Sequence, residues 1–198
     1  FGNFQMNKQD LTIFKSFENI CQKTPSSPFL ISPSRNQKGM TTFSYQETFE
    51  KANNISTIFL DNGYGNNLRV ATLLGSTPAH YIVKLALNKI GVSVVPINPD
   101  YSPDETAYLL ADSGSVLAIC AEHYIKQLKT AIAYKDLSVP IVTYDEIETI
   151  QTLKPLSDLG TQVHGKTEAS LLYTSGTTGR PKGCILSHEY ELMCGEVY

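Results

Sequence analysis

The chain contains 198 residues, of which 41% are hydrophobic and 18% are charged, and its formal net charge is −3. This composition is typical of a globular protein that buries a sizeable core, and the small net charge excludes the strongly basic surface of proteins that bind nucleic acid or anionic membranes. The four cysteines include no Cys-x-x-Cys pair, which predicts a reducing, cytoplasmic setting, and no apolar run is long enough for a transmembrane helix.

The first third of the chain is predicted to fold into a helix, a β-hairpin and a second helix. Apolar residues recur at helical spacing over 11–21, where Asp10 is the expected N-cap. Short apolar runs on either side of the polar turn at 34–39 are typical of a hairpin. Ser44, followed three residues later by Glu47, matches a capping box, so we expect the second helix to begin there.

From residue 68 onward, apolar strands alternate with helical segments. The predicted strands cover residues 68–74, 92–98, 116–120 and 140–143. The predicted helices cover residues 77–90, 103–111 and 124–133. Ser76 or Thr77 is expected to cap the first of these helices, and Gly91 to end it. Because repeated strand–helix–strand units pair in parallel through right-handed crossovers, the predicted fold class is α/β, with a mostly parallel sheet and helices on both faces.

The stretch 173–183, Tyr-Thr-Ser-Gly-Thr-Thr-Gly-Arg-Pro-Lys-Gly, carries the strongest chemical signal in the chain. It follows an apolar, strand-like run and combines three glycines with hydroxyl side chains and a lysine. Glycines let backbone N–H groups approach a ligand closely, hydroxyl groups donate hydrogen bonds to phosphate oxygens, and lysine adds a compact positive charge. We therefore predict a phosphate loop whose binding residues are Thr174, Ser175, Gly176, Thr177, Thr178, Gly179 and Lys182.

The Walker A loop of P-loop NTPases is the first alternative, and the residues exclude it. Counted from Gly176, Pro181 stands where that pattern needs its second glycine, and Gly183 follows the lysine in place of a serine or threonine. The stretch instead resembles, almost letter for letter, the signature of the adenylate-forming (AMP-binding) superfamily. Residues 43–45 and 86–99 are similar to two further signatures of that superfamily, and we interpret the second of these as packing.

The resemblance implies an enzyme that activates a carboxylic acid. The small-molecule carboxylate would attack ATP to give an acyl-adenylate and pyrophosphate, Mg2+ would share the phosphate charge, and coenzyme A would then take the acyl group as a thioester. On this interpretation the chain is part of an AMP-dependent acyl-CoA synthetase. The alternatives that stay open are a peptide-synthetase adenylation domain, a luciferase-type oxygenase and a non-catalytic nucleotide-binding module.

The resemblance also implies that residues 1–198 are the N-terminal part of an acetyl-CoA synthetase-like large domain, ending just after the phosphate loop. In the superfamily, the acyl pocket, the adenine and ribose contacts and the catalytic lysine come later in the sequence, so no catalytic residue is assigned here. We therefore expect this chain alone to be inactive, to bind ATP weakly, and to self-associate through uncovered strand edges and helix faces.

Four other residues near the phosphate loop receive no functional role. Arg180 stands at a variable position of the motif. Cys184, His188 and Cys194 are close in sequence, but a structural zinc site needs four ligands and no fourth stands nearby. We interpret His188 as a structural residue that opens a helix capped by Ser187.

Overall fold

The computed structural model of the protein describes residues 11–33, 39–150, 162–174 and 180–197. The α-helices found within these residues are α1 (Ile13–Lys23), α2 (Tyr45–Asp61), α3 (Pro78–Lys89), α4 (Pro103–Ser113), α5 (Ile125–Tyr134) and α6 (His188–Val197). The strands are β1 (Pro28–Pro33), β2 (Met40–Ser44), β3 (Arg69–Leu73), β4 (Ser93–Pro96), β5 (Leu117–Cys120), β6 (Ile141–Thr143), β7 (Glu168–Thr174) and β8 (Lys182–Ser187). Short 3-10 turns cover Glu122–Tyr124 and Tyr144–Thr149.

Six of the strands form one sheet in the order β6-β5-β3-β4-β7-β8, and β1 and β2 form a separate antiparallel hairpin. Neighbours in the large sheet are parallel except β7 and β8, which pair antiparallel. The prediction of an α/β fold with a mostly parallel sheet is therefore confirmed. The sequence pattern does not predict the antiparallel return of β8, because alternation of strands and helices carries no information about a strand that follows another strand directly.

Helices cover both faces of the large sheet. Successive residues of a strand point to opposite sides, and here both sides carry apolar residues that are buried against helices. On one face, Val70 and Val94 belong to a core that includes buried residues of α1, α2 and α3. On the other face, Ala71 and Val95 belong to a core that includes buried residues of α4 and α5. Burial on both sides is the usual setting of parallel strands, and it places helices on both faces as predicted.

Local capping fixes where the helices begin. α2 and α4 both start with the capping box, in which Ser44 and Ser102 pair with glutamates three residues later. α1 begins after Thr12, whose hydroxyl accepts a hydrogen bond from the Lys15 N–H at 3.2 Å. The prediction of Asp10 as its N-cap, a residue outside the described ranges, is therefore wrong. Both residue types are good caps, and only the first helical residue distinguishes them.

The ends of α3 agree with the prediction in position and differ in one detail. The helix begins after Thr77, but the Thr77 hydroxyl donates to the Leu74 carbonyl at 3.0 Å and makes no capping bond. Gly91, at φ +77°, follows the helix as predicted. A Cβ at Gly91 would also lie 2.9 Å from Asn66 Oδ1, so another residue here would strain the left-handed backbone and displace the Asn66 side chain.

Two predicted connections fall partly outside the described residues. These are 34–38 of the first hairpin turn and 151–161 of the segment before β7. The remainder of that segment includes a turn in which the Thr167 N–H donates to the His164 carbonyl at 3.0 Å. Among the residues that are described, no helix has both the length and the apolar composition needed to cross a bilayer.

Candidate nucleotide-binding site

The phosphate loop is the connection of the β7–β8 hairpin. Thr174 is paired with Lys182, the last described residue pair of the hairpin before the loop. These two predicted phosphate-binding residues therefore stand opposite each other next to the loop. Both side chains are exposed. The other predicted binding residues, Ser175, Gly176, Thr177, Thr178 and Gly179, lie outside the described residues, and their roles stay predictions.

A cleft of about 780 Å3 lies beside the start of the loop. It is found where β3, β4 and β7 end, and its polar lining includes Thr72, Ser76, His80, Asn98 and Thr174. The adjacent strands β3 and β5 lead in opposite directions along the sheet, to β4 and to β6, and the cleft borders the ends of both through Ser76 and Tyr124. Such a reversal at the carboxyl ends of parallel strands is where open α/β sheets bind their ligands.

Two polar side chains of this cleft have properties suited to an uncharged contact with a ligand. The Thr72 hydroxyl is buried and has no hydrogen-bond partner among the described residues. Burial, reinforced by the nearby Lys84 ammonium, lowers the pKa of His80 below its ordinary value, which favours the neutral ring. The Asn98 side chain accepts a hydrogen bond from the Asp100 N–H at 3.1 Å and so caps the turn that follows β4.

The strand entering the loop is attached to α4 by a tyrosine. The Tyr173 hydroxyl donates a hydrogen bond to Asp112 Oδ2 at 2.7 Å. Burial first, and this hydrogen bond second, raise the pKa of Tyr173 well above its ordinary value, so the hydroxyl keeps its proton. The ring lies against Gly183 on β8, where an added Cβ would be 3.3 Å from Tyr173 Cζ and 3.0 Å from Leu171 Cδ1.

The strand leaving the loop is attached to the same helix by an arginine. The guanidinium carbon of Arg180 lies 5.2 Å from the centroid of the Tyr108 ring, within the range of a cation–π contact. The Tyr108 and Tyr173 rings meet edge to face, with centroids 6.5 Å apart and planes at 85°. Arg180, which received no role from the sequence, is therefore engaged with α4.

A polar network attaches the opposite face of the hairpin to α3. Lys84 Nζ donates to Ser170 Oγ on β7 at 2.7 Å and to both carboxylate oxygens of Glu191 on α6 at 2.7 and 2.9 Å. The Lys84 and Glu191 side chains are only 20% and 21% exposed. This contact therefore joins β7 and α6, the elements on either side of the loop and β8, to the body of the sheet.

His188 stands at the first position of α6 and is fully buried. Its Nδ1 accepts a hydrogen bond from the Ile13 N–H at 3.4 Å, so the ring contacts the start of α1. Burial lowers the pKa of His188 to about 4; Glu191 opposes this shift, and Lys84 and His164 add to it. The Ser187 hydroxyl accepts from the Tyr190 N–H at 3.3 Å. These contacts support the structural role predicted for His188 and the capping role of Ser187.

The opposite end of β7 carries an ion pair. Arg69 donates to both oxygens of Glu168 at 2.7 and 2.9 Å and to the Ser113 carbonyl, the last residue of α4, at 3.1 Å. The Glu168 pKa lies below its ordinary value, because hydrogen bonds and the Arg69 charge outweigh the opposing effect of burial. The pair borders a cavity of about 650 Å3, but Arg69 already binds Glu168 and the cavity lies at the amino ends of the parallel strands, away from the phosphate loop.

Sequence reasoning missed Tyr108 and Asp112. The signal available was their spacing of four residues on a predicted helix, which places both on one face. Nothing local to that helix indicates that the face meets a loop more than sixty residues later. In the described part of the chain, no three His, Cys, Asp or Glu side chains lie close enough together to hold a metal ion.

Comparison with known proteins gives the family. The sequence model of the AMP-binding enzyme family matches residues 17–195. Tyrocidine synthase 2 of Brevibacillus parabrevis is 28% identical over 182 residues, which are 92% of this chain and 5% of that protein.

Two solved structures share the fold. The Klebsiella oxytoca NpsA N-terminal subdomain in complex with 3-hydroxybenzoyl-AMSN has a TM-score of 0.71 at 22% identity and covers 91% of this chain and 42% of its own. The Mycobacterium tuberculosis fatty acyl CoA synthetase has a TM-score of 0.73 at 22% identity and covers 89% and 34%. The chain thus spans less than half of each of these proteins. The family match covers nearly the whole sequence, including the two stems of the phosphate loop, by which we mean the segments before and after it that contain Tyr173 and Arg180. The chain therefore belongs to the AMP-binding, adenylate-forming enzymes.

Proposed function

We propose that the chain is part of an adenylation domain of the peptide-synthetase type, which activates an amino acid or a related carboxylic acid with ATP. The observation that carries this proposal is the similarity to tyrocidine synthase 2, a peptide synthetase, over 92% of this chain. The likeness to the fatty acyl CoA synthetase is at 22% identity and supports the fold alone. The acyl-CoA synthetase interpretation is therefore the second candidate.

The proposed reaction has two steps. A carboxylate oxygen attacks the α-phosphorus of ATP, forming an acyl–phosphate bond and breaking the bond to the β-phosphate, which leaves as part of pyrophosphate. A thiol sulfur then attacks the acyl carbonyl, forming a thioester and releasing AMP. The thiol belongs to a carrier-protein arm in the first candidate and to coenzyme A in the second.

The phosphate loop serves the first step. Displacement at phosphorus is assisted mainly by positioning and by neutralising charge on the departing oxygens. In the proposal, Thr174 and the hydroxyl and glycine residues at 175–179 donate hydrogen bonds to the β- and γ-phosphates, and Lys182 supplies a positive charge. The family uses ATP and typically Mg2+, which would neutralise the phosphates together with Lys182; we assign no protein ligand to the ion.

The hairpin geometry supports these roles. Thr174 and Lys182 stand across from each other at the loop end of the hairpin, and the cleft beside Thr174 borders the carboxyl ends of the parallel strands. We further propose that residues 1–198 form the N-terminal part of the AMP-binding large domain, with the acid pocket and the adenine contacts on sequence that follows. The share of the NpsA subdomain covered by this chain, 42%, supports that division.

ATP–pyrophosphate exchange by the protein carrying this chain tests the proposal. A panel of amino acids, aryl acids and fatty acids is expected to give exchange with an amino acid or a close relative. Lys182→Ala is expected to slow exchange by at least about tenfold, because a charge-assisted contact to phosphate is lost. Lys129→Ala, an exposed lysine on α5, is the matched control and is expected to leave exchange unchanged.

The outcomes separate the candidates. Exchange with fatty or aryl acids and transfer to coenzyme A would favour the acyl-CoA synthetase interpretation. No exchange with any acid would favour the non-catalytic nucleotide-binding module. Equal rates for the wild type and Lys182→Ala would contradict the phosphate-binding role of the lysine.

A further inference from the structure

The two stems of the phosphate loop converge on one face of α4. Tyr108 and Asp112 are four residues apart in this helix and therefore project from the same side. Asp112 binds the Tyr173 hydroxyl before the loop, and Tyr108 contacts the Arg180 guanidinium after it. We call Tyr108 and Asp112 the α4 anchor.

The helix that carries the anchor is itself held firmly at both ends. A capping box formed by Ser102 and Glu105 fixes its start. Its C-cap, Gly114, adopts the left-handed conformation at φ 64°, and its last carbonyl, that of Ser113, accepts a hydrogen bond from Arg69 at 3.1 Å. A helix with satisfied ends that packs on the sheet is a rigid support.

The hairpin is shaped to reach this support. Tyr173 and Gly183 are paired across the two strands, and the absence of a side chain on Gly183 leaves room for the Tyr173 ring. The ring can then extend along the sheet face until its hydroxyl meets Asp112. The edge-to-face contact with Tyr108 couples the two halves of the anchor, so that both stems are fixed by one connected set of side chains.

We propose that Tyr108 and Asp112 are positioning residues for nucleotide binding, which set the separation and orientation of the chain segments before and after the loop and thereby of Thr174 and Lys182. This inference rests on the proposed function. Neither residue need contact ATP, because each acts through a stem residue, Arg180 or Tyr173. Donors fixed before the ligand arrives cost less ordering on binding, so loosening the anchor weakens phosphate binding.

The test measures the Kd for ATP by calorimetry and the exchange kinetics in the full-length protein. Tyr173→Phe keeps the ring and removes only the hydroxyl, and Asp112→Ala removes the carboxylate that accepts the hydrogen bond from that hydroxyl. Each is expected to raise the Kd and KM for ATP about fivefold, with kcat at saturating ATP and the KM for the acid retained. The double variant is expected to be no weaker than either single variant, because both remove the same hydrogen bond.

Conservative variants and a matched control complete the design. Asp112→Asn retains an acceptor oxygen, and Tyr108→Phe retains the ring, so each is expected to recover most of the affinity lost in Asp112→Ala and Tyr108→Leu. Tyr134→Phe, a tyrosine on α5 that is 61% exposed, is expected to bind ATP like the wild type. The melting temperature of each variant is recorded without ATP, so that a general loss of folding is recognised.

Each outcome decides the inference. A Kd for ATP within twofold of wild type in Tyr173→Phe and Asp112→Ala overturns it while leaving the proposed function intact. A fall in kcat and a rise in the KM for the acid by the same factor as for ATP would also overturn it, because that pattern indicates general disruption. A wild-type protein that neither binds ATP nor exchanges pyrophosphate overturns the proposed function and this inference together.

Discussion

The centre of the sheet and its β7–β8 edge are held in place by different forces. Every residue of β5 is buried, whereas the first four residues of β8 are exposed. β5 is fixed by apolar burial on both faces. In the hairpin, β7 reaches the core through Ala169 and Leu171, and polar and aromatic contacts to α3 and α4 add to this burial. The part of the molecule expected to bind phosphate therefore depends more on individual side chains, and the part that supports it depends more on collective packing.

The largest expected effect comes from truncating the same residue type in each region. Ile119 on β5 is fully buried, and Ile185 on β8 is 60% exposed. Ile119→Ala is expected to lower the free energy of unfolding by about 2–4 kcal/mol, because a cavity remains in a close-packed core. Ile185→Ala is expected to change it by less than about 0.5 kcal/mol. Chemical denaturation of both variants checks the contrast, and equal losses would remove the distinction between the regions.

Acidification is expected to loosen the junction after the hairpin. The His188 pKa is lowered to about 4 in the folded chain, against an ordinary value near 6.5. The unfolded chain therefore binds the extra proton between these values, so stability falls as the pH falls through this window. From pH 7 to pH 5, the loss attributable to His188 is expected to be about 2 kcal/mol.

Two substitutions isolate this effect from other titrations. His188→Gln cannot take up the proton, so its stability is expected to fall less between pH 7 and pH 5 than that of the wild type. His123→Gln replaces an exposed histidine and is expected to keep the wild-type pH dependence. The same pH dependence in all three proteins would show that the buried ring does not control the junction.

The smallest expected effect concerns the attachment to α3. A double-mutant cycle with Lys84→Met and Glu191→Gln is expected to give a coupling energy of about 1 kcal/mol, because both partners are largely shielded from water. The Lys135–Asp104 pair, 3.8 Å apart with Asp104 half exposed, is the matched control and is expected to couple by less than about 0.3 kcal/mol. A coupling no greater than that of the control would mean that this ion pair does not hold α6 against α3.

Local sequence signals predict the elements of this fold well. The Ser44–Glu47 capping box, the alternation after residue 68 and Gly91 each act within a few residues, so the sequence alone is enough to recognise them. The prediction of Asp10 as the cap of α1 fails, because Thr12 is another suitable residue two positions later and the helix begins after it.

Contacts between residues that are far apart in the chain cannot be predicted from local sequence signals. Lys84 and Glu191 are 107 residues apart, and Tyr173 and Asp112 are 61 apart. The phosphate loop is recognisable because its chemistry is contiguous. The anchors that hold it depend on how the chain returns, and periodicity says nothing about whether β8 runs parallel or antiparallel to β7.

Gly183 shows how easily a motif residue can be misassigned in a mutational scan. It ends a string of residues expected to bind phosphate, and a scan scored by activity alone would group its intolerance with that of Lys182. Its neighbours are Leu171 and Tyr173, so an alanine there pushes on a ring that must reach α4. Loss of activity on substitution of Gly183 would therefore report the packing between β7 and β8. A smaller side chain at position 171 would be expected to restore the activity of a variant with a larger residue at 183, whereas a change of ligand would not.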